Sequence, residues 1–195
     1  MNFLAHIYLS GKSEEVIIGN FIGDFVKGSD FRDYPEEIQR GIGLHRKIDE
    51  FTDTHEVVRS STSILRQKYR HYSPVIVDIF YDHFLARSWK EVSDTPLKAF
   101  TGWFYSVTDR FRDMIPRRAA HMLKYMKRDN WLYNYQFTEG IDRALTGLAS
   151  RTTFKSHMEE AVHDLKANYD KFERDFHAFF PDAVAFSQDY LKKNS

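Results

Sequence analysis

The helical character of this chain is clearest in residues 44–55, which read Leu44-His45-Arg46-Lys47-Ile48-Asp49-Glu50-Phe51-Thr52-Asp53-Thr54-His55. Residues four apart on a helix differ by about 400° of rotation, so they drift only about 40° around its surface. His45, Asp49 and Asp53 therefore form one polar stripe on a predicted helix. Imidazole and carboxylate ligands suit a divalent cation, and this spacing lets one helix supply two of them. The same spacing is also typical of a solvated charged face, with Arg46 and Lys47 as ion-pair partners.

The rest of the chain shows the same helical pattern. Apolar residues recur at intervals of three and four, proline and glycine are sparse, and no convincing strand appears. Ser13 is a candidate N-cap, and Gly19 and Gly23, four apart, predict a close approach by another helix. Prolines, Pro181 among them, stand where helices are expected to begin. We predict an all-α fold with helices near 3–9, 14–27, 35–56, 57–70, 73–89, 95–113, 117–128, 135–148, 153–176 and 182–193.

Length and composition limit the organisation and the partners. The chain has 195 residues, 42% of them hydrophobic, and no linker-like stretch, so we expect one folded domain over residues 1–195. The 28 basic side chains equal the 28 acidic ones, so no global field favours nucleic acid or a membrane. Cysteine is absent, which excludes thiolate chemistry. With neither a signal peptide nor a membrane span evident at the start, we expect a cytoplasmic protein.

Further ionisable residues stand among apolar neighbours, where an unpaired charge is expensive to bury. His6 lies in an apolar first helix and, taken alone, is as well explained as a core histidine. Asp24 lies near a helix end, where it could instead cap the helix or pair with Lys27. Asp82 and His83 lie in an apolar segment and point about 100° apart on a helix. We expect one of these two to face a metal and the other to support it, the alternative being a hydrogen-bonded core pair.

One segment is locally basic. Residues 109–128 carry seven basic side chains against two acidic ones. Arg117 and Arg118 stand near its middle. Such a segment could bind an acidic partner, or it could be a solvated helix face balanced by acids elsewhere in the fold.

Taken in order, four motifs resemble the acyl-carrier-protein phosphodiesterase (ACP hydrolase) family. They are Asn2-Phe-Leu-Ala-His6, Gly19-Asn20 with Asp24-Phe-Val-Lys-Gly28, Leu44-His-Arg-Lys-Ile-Asp49 with Thr52-Asp53, and Asp82-His-Phe-Leu85. The resemblance continues through Gly147-Leu-Ala-Ser-Arg151 and Phe180-Pro181, so it covers essentially the whole chain. Each motif is short, and the order and spacing of the set carry the specificity.

The resemblance implies a fold similar to the His-Asp phosphohydrolases, which hold divalent ions on inward-facing helices. It implies hydrolysis of the phosphodiester that links 4′-phosphopantetheine to a serine of holo-acyl carrier protein (holo-ACP), which gives apo-ACP and 4′-phosphopantetheine. Manganese is the expected ion, with Mg²⁺ or Fe²⁺ as alternatives. The metal ligands it implies are His6, Asp24, His45, Asp82 and His83. In the familiar signature His and Asp are adjacent, whereas here His45 and Asp49 are four apart and the adjacent pair comes later.

Roles for the other residues follow as hypotheses. Asp24 and Asp49 are the candidate catalytic carboxylates that orient or deprotonate water, and Arg46 is the candidate that steadies the phosphate. Carrier proteins of this type are acidic, so we expect them to dock on basic side chains. The candidates for substrate binding are Lys27, Lys47, Arg117 and Arg118, with Arg32 near the first of them.

Two other functions fit the same residues. A metal-dependent phosphohydrolase could act on a nucleotide or another small phosphodiester, because fold and metal chemistry do not fix the substrate. A helical binding module without catalysis could use the histidines and aspartates to satisfy one another in its core. Nucleic-acid binding is not expected, since basic and aromatic residues do not interleave in a recognisable module. The sequence makes no prediction about oligomeric state.

Overall fold

A computed structural model of the chain describes residues 1–194, and within this range the chain forms helices and no strand. The all-α fold predicted from the sequence is confirmed. The twelve α-helices of the described range are α1 (Phe3–Leu9), α2 (Glu14–Ile22), α3 (Glu36–Thr54), α4 (Glu56–Tyr69), α5 (Ser73–Arg87), α6 (Trp89–Val92), α7 (Leu97–Arg110), α8 (Arg117–Arg128), α9 (Trp131–Asn134), α10 (Thr138–Ala149), α11 (Ala161–Ala167) and α12 (Tyr169–Lys193). Short 3₁₀ turns lie at Gly23–Phe25, Asp30–Asp33, Arg70–Tyr72, Arg112–Met114 and Met158–Glu160.

The predicted bounds hold for α1 and α8, and the predicted cap is present, since Ser13 Oγ accepts a hydrogen bond from the backbone N–H of Val16. The predicted helix over 153–176 is wrong. Residues 150–157 are not helical, and Asn168 separates α11 from α12.

The helix start predicted at Pro181 is also wrong, because Pro181 lies inside α12. A proline removes one backbone hydrogen bond and usually kinks or ends a helix. Here the proline is exposed, while the opposite face of α12 stays buried on both sides of it, through Phe176 and Phe180 before it and Ala183 and Ser187 after it. Packing of this continuous face outweighs the local cost.

The close helix contact predicted at Gly19 is confirmed between α2 and α3. A Cβ atom added at Gly19 would stand 2.1 Å from the carbonyl oxygen of Ile38, and one added at Gly41 would stand 2.2 Å from that of Val16. The two helix backbones can approach this closely because both positions are glycine. One turn further along, a Cβ at Gly23 would stand 2.3 Å from Cγ of His45. Gly23 therefore leaves the space that the His45 imidazole fills.

Helix α5 runs through the core, since every residue from Ile79 to Ala86 is buried. Phenylalanines of α12 pack on it edge to face, with ring centroids of Phe80 and Phe172 5.1 Å apart and those of Tyr81 and Phe176 5.7 Å apart. Helix α1 packs against the same core. Among the described helices, none combines the length and the apolar character needed to cross a bilayer.

Candidate active site

Four ionisable side chains from three elements converge beside α1. His6 is in the middle of α1, His45 and Asp49 lie one turn apart on α3, and Asp24 lies in the 3₁₀ turn after α2. The His6 and His45 rings stack with centroids 4.2 Å apart. We call these four residues the His-Asp cluster. The i,i+4 pair predicted on α3 thus meets the predicted His6 and Asp24, while Asp53 is exposed.

The tautomer of His6 is fixed by its neighbour Asn20. The Asn20 amide nitrogen donates to the His6 carbonyl oxygen (3.0 Å) and to Ser10 Oγ (2.8 Å), so its Oδ1 is left as the acceptor that lies 2.7 Å from His6 Nδ1. Nδ1 therefore carries the hydrogen. Burial, assisted by the neighbouring His45, lowers the pKa of His6 to about 4, so the ring is neutral near pH 7.

The other ring nitrogen of His6, Nε2, consequently carries a lone pair, and the atoms nearest to it are hydrogen-bond acceptors. Nε2 lies 3.0 Å from the carbonyl oxygen of Met1 and 3.1 Å from Asp49 Oδ1. Neither oxygen can donate a hydrogen bond. Lone pairs that face one another in a buried site repel, and a cation among them removes the repulsion.

His45 lies between the two carboxylates. Its Nε2 is 3.2 Å from Asp24 Oδ1 and 3.2 Å from Asp49 Oδ2. Burial alone would lower the pKa of His45, but its hydrogen bonds with Asp24 and Asp49 outweigh burial and raise the pKa to about 9. Its Nδ1 is buried and has no hydrogen-bond partner within the described part of the chain. The hydrogen bonds within the cluster therefore leave some of its polar atoms unsatisfied.

The two carboxylates differ in exposure. The Asp24 side chain is 64% exposed and that of Asp49 is 40% exposed. The hydrogen bond from His45 holds the pKa of Asp24 below its usual value. Burial would raise the pKa of Asp49, but the hydrogen bond from His45 and the charge of the nearby Met1 α-amino group outweigh burial and lower it. Both groups are ionised near pH 7, and Asp24 is the more exposed of the two.

The α-amino group of Met1 is buried beside the cluster. It lies 3.1 Å from Asp78 Oδ1 and 3.5 Å from Asp49 Oδ1. Burial would lower its pKa, but Asp78 and Asp49 raise it to about 10, so the group is charged. This ion pair places the Met1 carbonyl against His6.

Asp82 and His83 were predicted as metal ligands, and the structure places their side chains outside the cluster. Asp82 accepts hydrogen bonds from the backbone N–H groups of Leu4 (2.8 Å) and Ala5 (3.0 Å), so it caps the start of α1. Burial raises its pKa to about 7, against those two hydrogen bonds. His83 lies 2.7 Å from the carbonyl oxygen of Tyr135 and 2.8 Å from the Tyr169 hydroxyl, and burial lowers its pKa to about 4.

The predicted basic residues near the cluster also face elsewhere. Arg46 donates to the carbonyl oxygens of Val26 (3.2 Å) and Gly28 (3.1 Å), so it fixes the segment after Asp24. Lys47 is exposed and pairs with Glu50 at 2.7 Å. Lys27 and Arg32 are exposed.

Within the basic segment, several side chains are paired locally. Lys127 pairs with Asp109 at 2.6 Å, Arg128 with Asp129 at 2.7 Å, and Arg110 with Glu14. Arg117 and Arg118 are exposed and have no ion pair among residues 1–194.

A cleft of about 880 Å³ is lined by Asp24 and by residues of α5, α8 and α10. Apolar and aromatic side chains form most of its walls, among them Phe3, Phe25, Ile79, Met122, Trp131 and Leu148. Its basic lining residues are Arg117, Arg118, His121, Arg143 and Arg151. Asp24, which contacts His45, is the acidic residue of the lining. The predicted Arg117 and Arg118 thus lie on the same cleft as Asp24.

The cluster has the composition of a metal site. One ligand atom each from His6, His45 and Asp49 lies within 4.8 Å of the other two, and Asp24 contacts the same nitrogen of His45. Two imidazole nitrogens with carboxylate oxygens suit a hard or borderline divalent cation. The lone pair of His6 Nε2 supports this fit, because no hydrogen-bond donor faces it and a bound cation would be its partner.

Several residues of the site had no role assigned to them from the sequence. Asn20 stood in the Gly19-Asn20 motif without a role, and a polar amide in the otherwise apolar stretch of α2 is the signal that could have assigned one. Gly147 and Arg151 stood in the motif Gly147-Leu-Ala-Ser-Arg151 without a role, Arg143 was not singled out, and the structure places all three on the cleft. The Met1 carbonyl could not be anticipated, because its position depends on the ion pair with Asp78.

Comparison with known proteins gives a consistent match over the chain. Residues 1–183 match the family model described as acyl carrier protein phosphodiesterase. The chain is 34% identical over 186 residues to the acyl carrier protein phosphodiesterases of Salmonella newport (strain SL254) and Salmonella typhimurium (strain LT2). Each alignment covers 95% of this chain and 96% of the relative. No solved structure gives a significant match.

Proposed function

This chain belongs to the acyl carrier protein phosphodiesterase family, and from that membership we propose that it hydrolyses the phosphodiester between 4′-phosphopantetheine and the serine of holo-ACP. The products are apo-ACP and free 4′-phosphopantetheine. Water adds its oxygen to phosphorus, the bond from phosphorus to the serine oxygen breaks, and the serine oxygen takes up a proton.

One observation carries this proposal. Asp24 is shared by the His-Asp cluster and by the cleft, since it contacts His45 Nε2 at 3.2 Å and also lines the cleft. A phosphodiester at this end of the cleft would meet the cluster while the rest of the substrate lies along the cleft. The exposed Arg117 and Arg118 on the same cleft offer charges complementary to the acidic carrier protein.

We propose His6, His45, Asp24 and Asp49 as the ligands of a divalent metal ion, most simply Mn²⁺, with Mg²⁺ or Fe²⁺ as alternatives. Such an ion supplies positive charge that stabilises the phosphate oxygens and makes water more acidic. Asp82 and His83 are not in this proposed ligand set, because their polar atoms already have protein partners.

The chain's own groups have distinct roles in this proposal. Asp24 is ionised and exposed to the cleft, so it accepts a hydrogen bond from the attacking water and orients it. Asp49 accepts a hydrogen bond from His45 through Oδ2 and so orients that ring, while its Oδ1 faces the lone pair of His6 Nε2. Arg46 acts as a positioning residue, because it binds the backbone of the segment that follows Asp24.

The test is to follow holo-ACP by intact mass with chelator-treated enzyme, with and without added Mn²⁺. We expect loss of the phosphopantetheine mass only when the ion is present. In the Asp24→Asn variant we expect kcat to fall on the order of a thousandfold. Asp113→Asn is the matched control, since its carboxylate is 89% exposed and does not line the cleft.

Other outcomes identify the alternatives. Unchanged holo-ACP together with metal-dependent hydrolysis of a small diester such as bis(4-nitrophenyl) phosphate would replace the carrier protein with a small-molecule substrate. Charge reversal at Arg117 and Arg118 separates the same two functions. With a carrier-protein substrate, the variant raises KM and weakens the salt dependence of kcat/KM, whereas a small diester shows neither change.

A further inference from the structure

The cleft is large enough to receive part of a substrate. Its volume of about 880 Å³ is in the upper part of the range of roughly 300–1,000 Å³ that is usual for small-molecule sites. Asp24 lines it together with aromatic and apolar side chains such as Phe25, Trp131 and Leu148. A folded carrier protein cannot enter such a space, but a flexible prosthetic arm can.

The chemistry of the walls fits the phosphopantetheine arm. Beyond its phosphate the arm is uncharged, with amide groups along a slim chain and a thiol or acyl group at its end. Apolar and aromatic walls can pack against such a chain. Arg117 and Arg118 of α8, Arg143 of α10 and Arg151 in the turn after it supply positive charge to the cleft, which suits a substrate with a phosphate and an acidic carrier protein.

One position of the cleft wall has no side chain. Gly147 lies on α10, between Ala144 and Leu148 on the face that lines the cleft. A Cβ atom added at Gly147 meets no atom within 4 Å, so no packing contact inside the protein requires glycine there. Glycine also costs roughly 0.5–1 kcal/mol relative to alanine within a helix. Its presence therefore keeps space open in the cleft at the expense of helix stability.

We propose that the prosthetic arm of the carrier protein passes Gly147 and that this glycine determines how bulky an arm the cleft accepts. The inference rests on the proposed function for the identity of the substrate. It adds the path of the arm and a specificity-determining residue on a wall remote in sequence from the His-Asp cluster.

The experiment compares Gly147→Trp with Gly102→Trp. Gly102 is an exposed helical glycine of α7, its added Cβ also meets nothing within 4 Å, and it does not line the cleft. For each variant, kcat/KM is measured with holo-ACP and with bis(4-nitrophenyl) phosphate, which has no arm. Gly147→Trp is expected to lower the ratio of the two at least tenfold, chiefly through a higher KM for holo-ACP, whereas Gly102→Trp keeps the wild-type ratio.

The remaining outcomes separate this inference from the proposed function. If the wild-type chain cleaves holo-ACP and the ratio is the same for both variants, the arm does not pass Gly147. If the wild-type chain does not cleave holo-ACP, the proposed function fails. Calorimetry with free pantetheine then tests whether the cleft binds the arm. Binding weakened at least tenfold by Gly147→Trp alone then supports the path, and absence of pantetheine binding overturns it.

Discussion

Two regions of this molecule bury histidine beside aspartate, and they differ in how their polar atoms are satisfied. In the Asp82–His83 pair, Asp82 accepts two backbone hydrogen bonds, and both ring nitrogens of His83 have protein partners. In the His-Asp cluster, His6 Nε2 faces only acceptors and His45 Nδ1 has no partner within residues 1–194. The first region is complete without a ligand, whereas the second has a place for a cation.

The comparison shows that burial alone does not identify a metal ligand. A buried histidine whose two nitrogens are hydrogen-bonded stabilises the fold, since leaving either one unpaired would cost free energy. A buried histidine whose lone pair faces carboxylate and carbonyl oxygens is unfavourable until a cation arrives. The two regions therefore predict different responses to substitution, to metal and to pH.

The largest expected difference is in activity. His45→Gln should lower the rate of holo-ACP hydrolysis on the order of a thousandfold, because it removes a proposed metal ligand. His83→Gln should lower it by at most about tenfold, because His83 contacts Tyr135 and Tyr169 and not the cluster. The rates are measured by intact mass of the carrier protein at saturating Mn²⁺. Equal losses in the two variants would remove the distinction between the regions.

For stability we expect the Asp82–His83 pair to matter more than the His-Asp cluster, as substitutions of Asp82 and Asp49 should show. Asp82→Ala should lower the free energy of unfolding by about 3 kcal/mol, because the buried N–H groups of Leu4 and Ala5 lose their acceptor. Asp49→Ala should cost less than about 1.5 kcal/mol, since its carboxylate is 40% exposed and its removal also relieves repulsion at His6. Urea unfolding of chelator-treated protein measures both. A larger loss for Asp49→Ala would contradict the view of Asp82 as the cap of α1.

We expect a metal ion to stabilise the folded chain through the His-Asp cluster and not through the Asp82–His83 pair. Mn²⁺ at a hundred times its dissociation constant should raise the free energy of unfolding of the wild-type chain by about 2.7 kcal/mol. His83→Gln should keep this gain and His6→Gln should lose most of it. The measurement is urea unfolding with and without the ion after chelator treatment. A wild-type chain that Mn²⁺ does not stabilise would leave the cluster without a metal role.

The smallest effect is a pH dependence of stability from His83. Burial lowers its pKa from an ordinary 6.5 to about 4, so between these values the unfolded chain binds a proton that the folded chain does not. The contribution of His83 is full above pH 6.5 and is lost as the pH falls toward 4. Between pH 7.5 and pH 5 the loss is about 2 kcal/mol, from about 1.4 kcal/mol per unit of pKa.

The difference between wild type and His83→Gln isolates this effect from the opposite contribution of Asp82, whose pKa burial raises to about 7. The free energy of unfolding of both proteins is measured at pH 7.5 and pH 5. The variant should lose about 2 kcal/mol less than the wild type on acidification. Parallel losses would mean that His83 is not held neutral in the fold.

The helical fold was predictable because its signal is local. The three-and-four spacing of apolar residues and the cap at Ser13 lie within short stretches of chain, and the structure has them. The failures come from the C-terminal third. At Pro181 a local signal for a helix start was overridden by the buried face of α12, which is a tertiary effect.

The candidate site was predictable in part for a similar reason. His45 and Asp49 share a face because of helix periodicity, and the resemblance of the ordered motifs added His6 and Asp24. The sequence could not separate these from Asp82 and His83, since all are ionisable residues in apolar surroundings. Which lone pairs meet donors depends on atoms from distant segments, such as the N–H of Leu4 for Asp82 and the carbonyl of Tyr135 for His83.

By itself, the sequence determined the helical class, the family to which the chain belongs and the short-range pairing of His45 with Asp49. These follow from helix periodicity and from the order of motifs, which need no contact between distant residues. Only the tertiary structure decided that α1, α3 and the turn after α2 bring His6, His45, Asp49 and Asp24 together, that Asp82 caps α1, and that α10 lines the same cleft as Asp24. The reason is that hydrogen-bond satisfaction and cleft shape depend on which surfaces pack, and packing joins segments far apart in the chain.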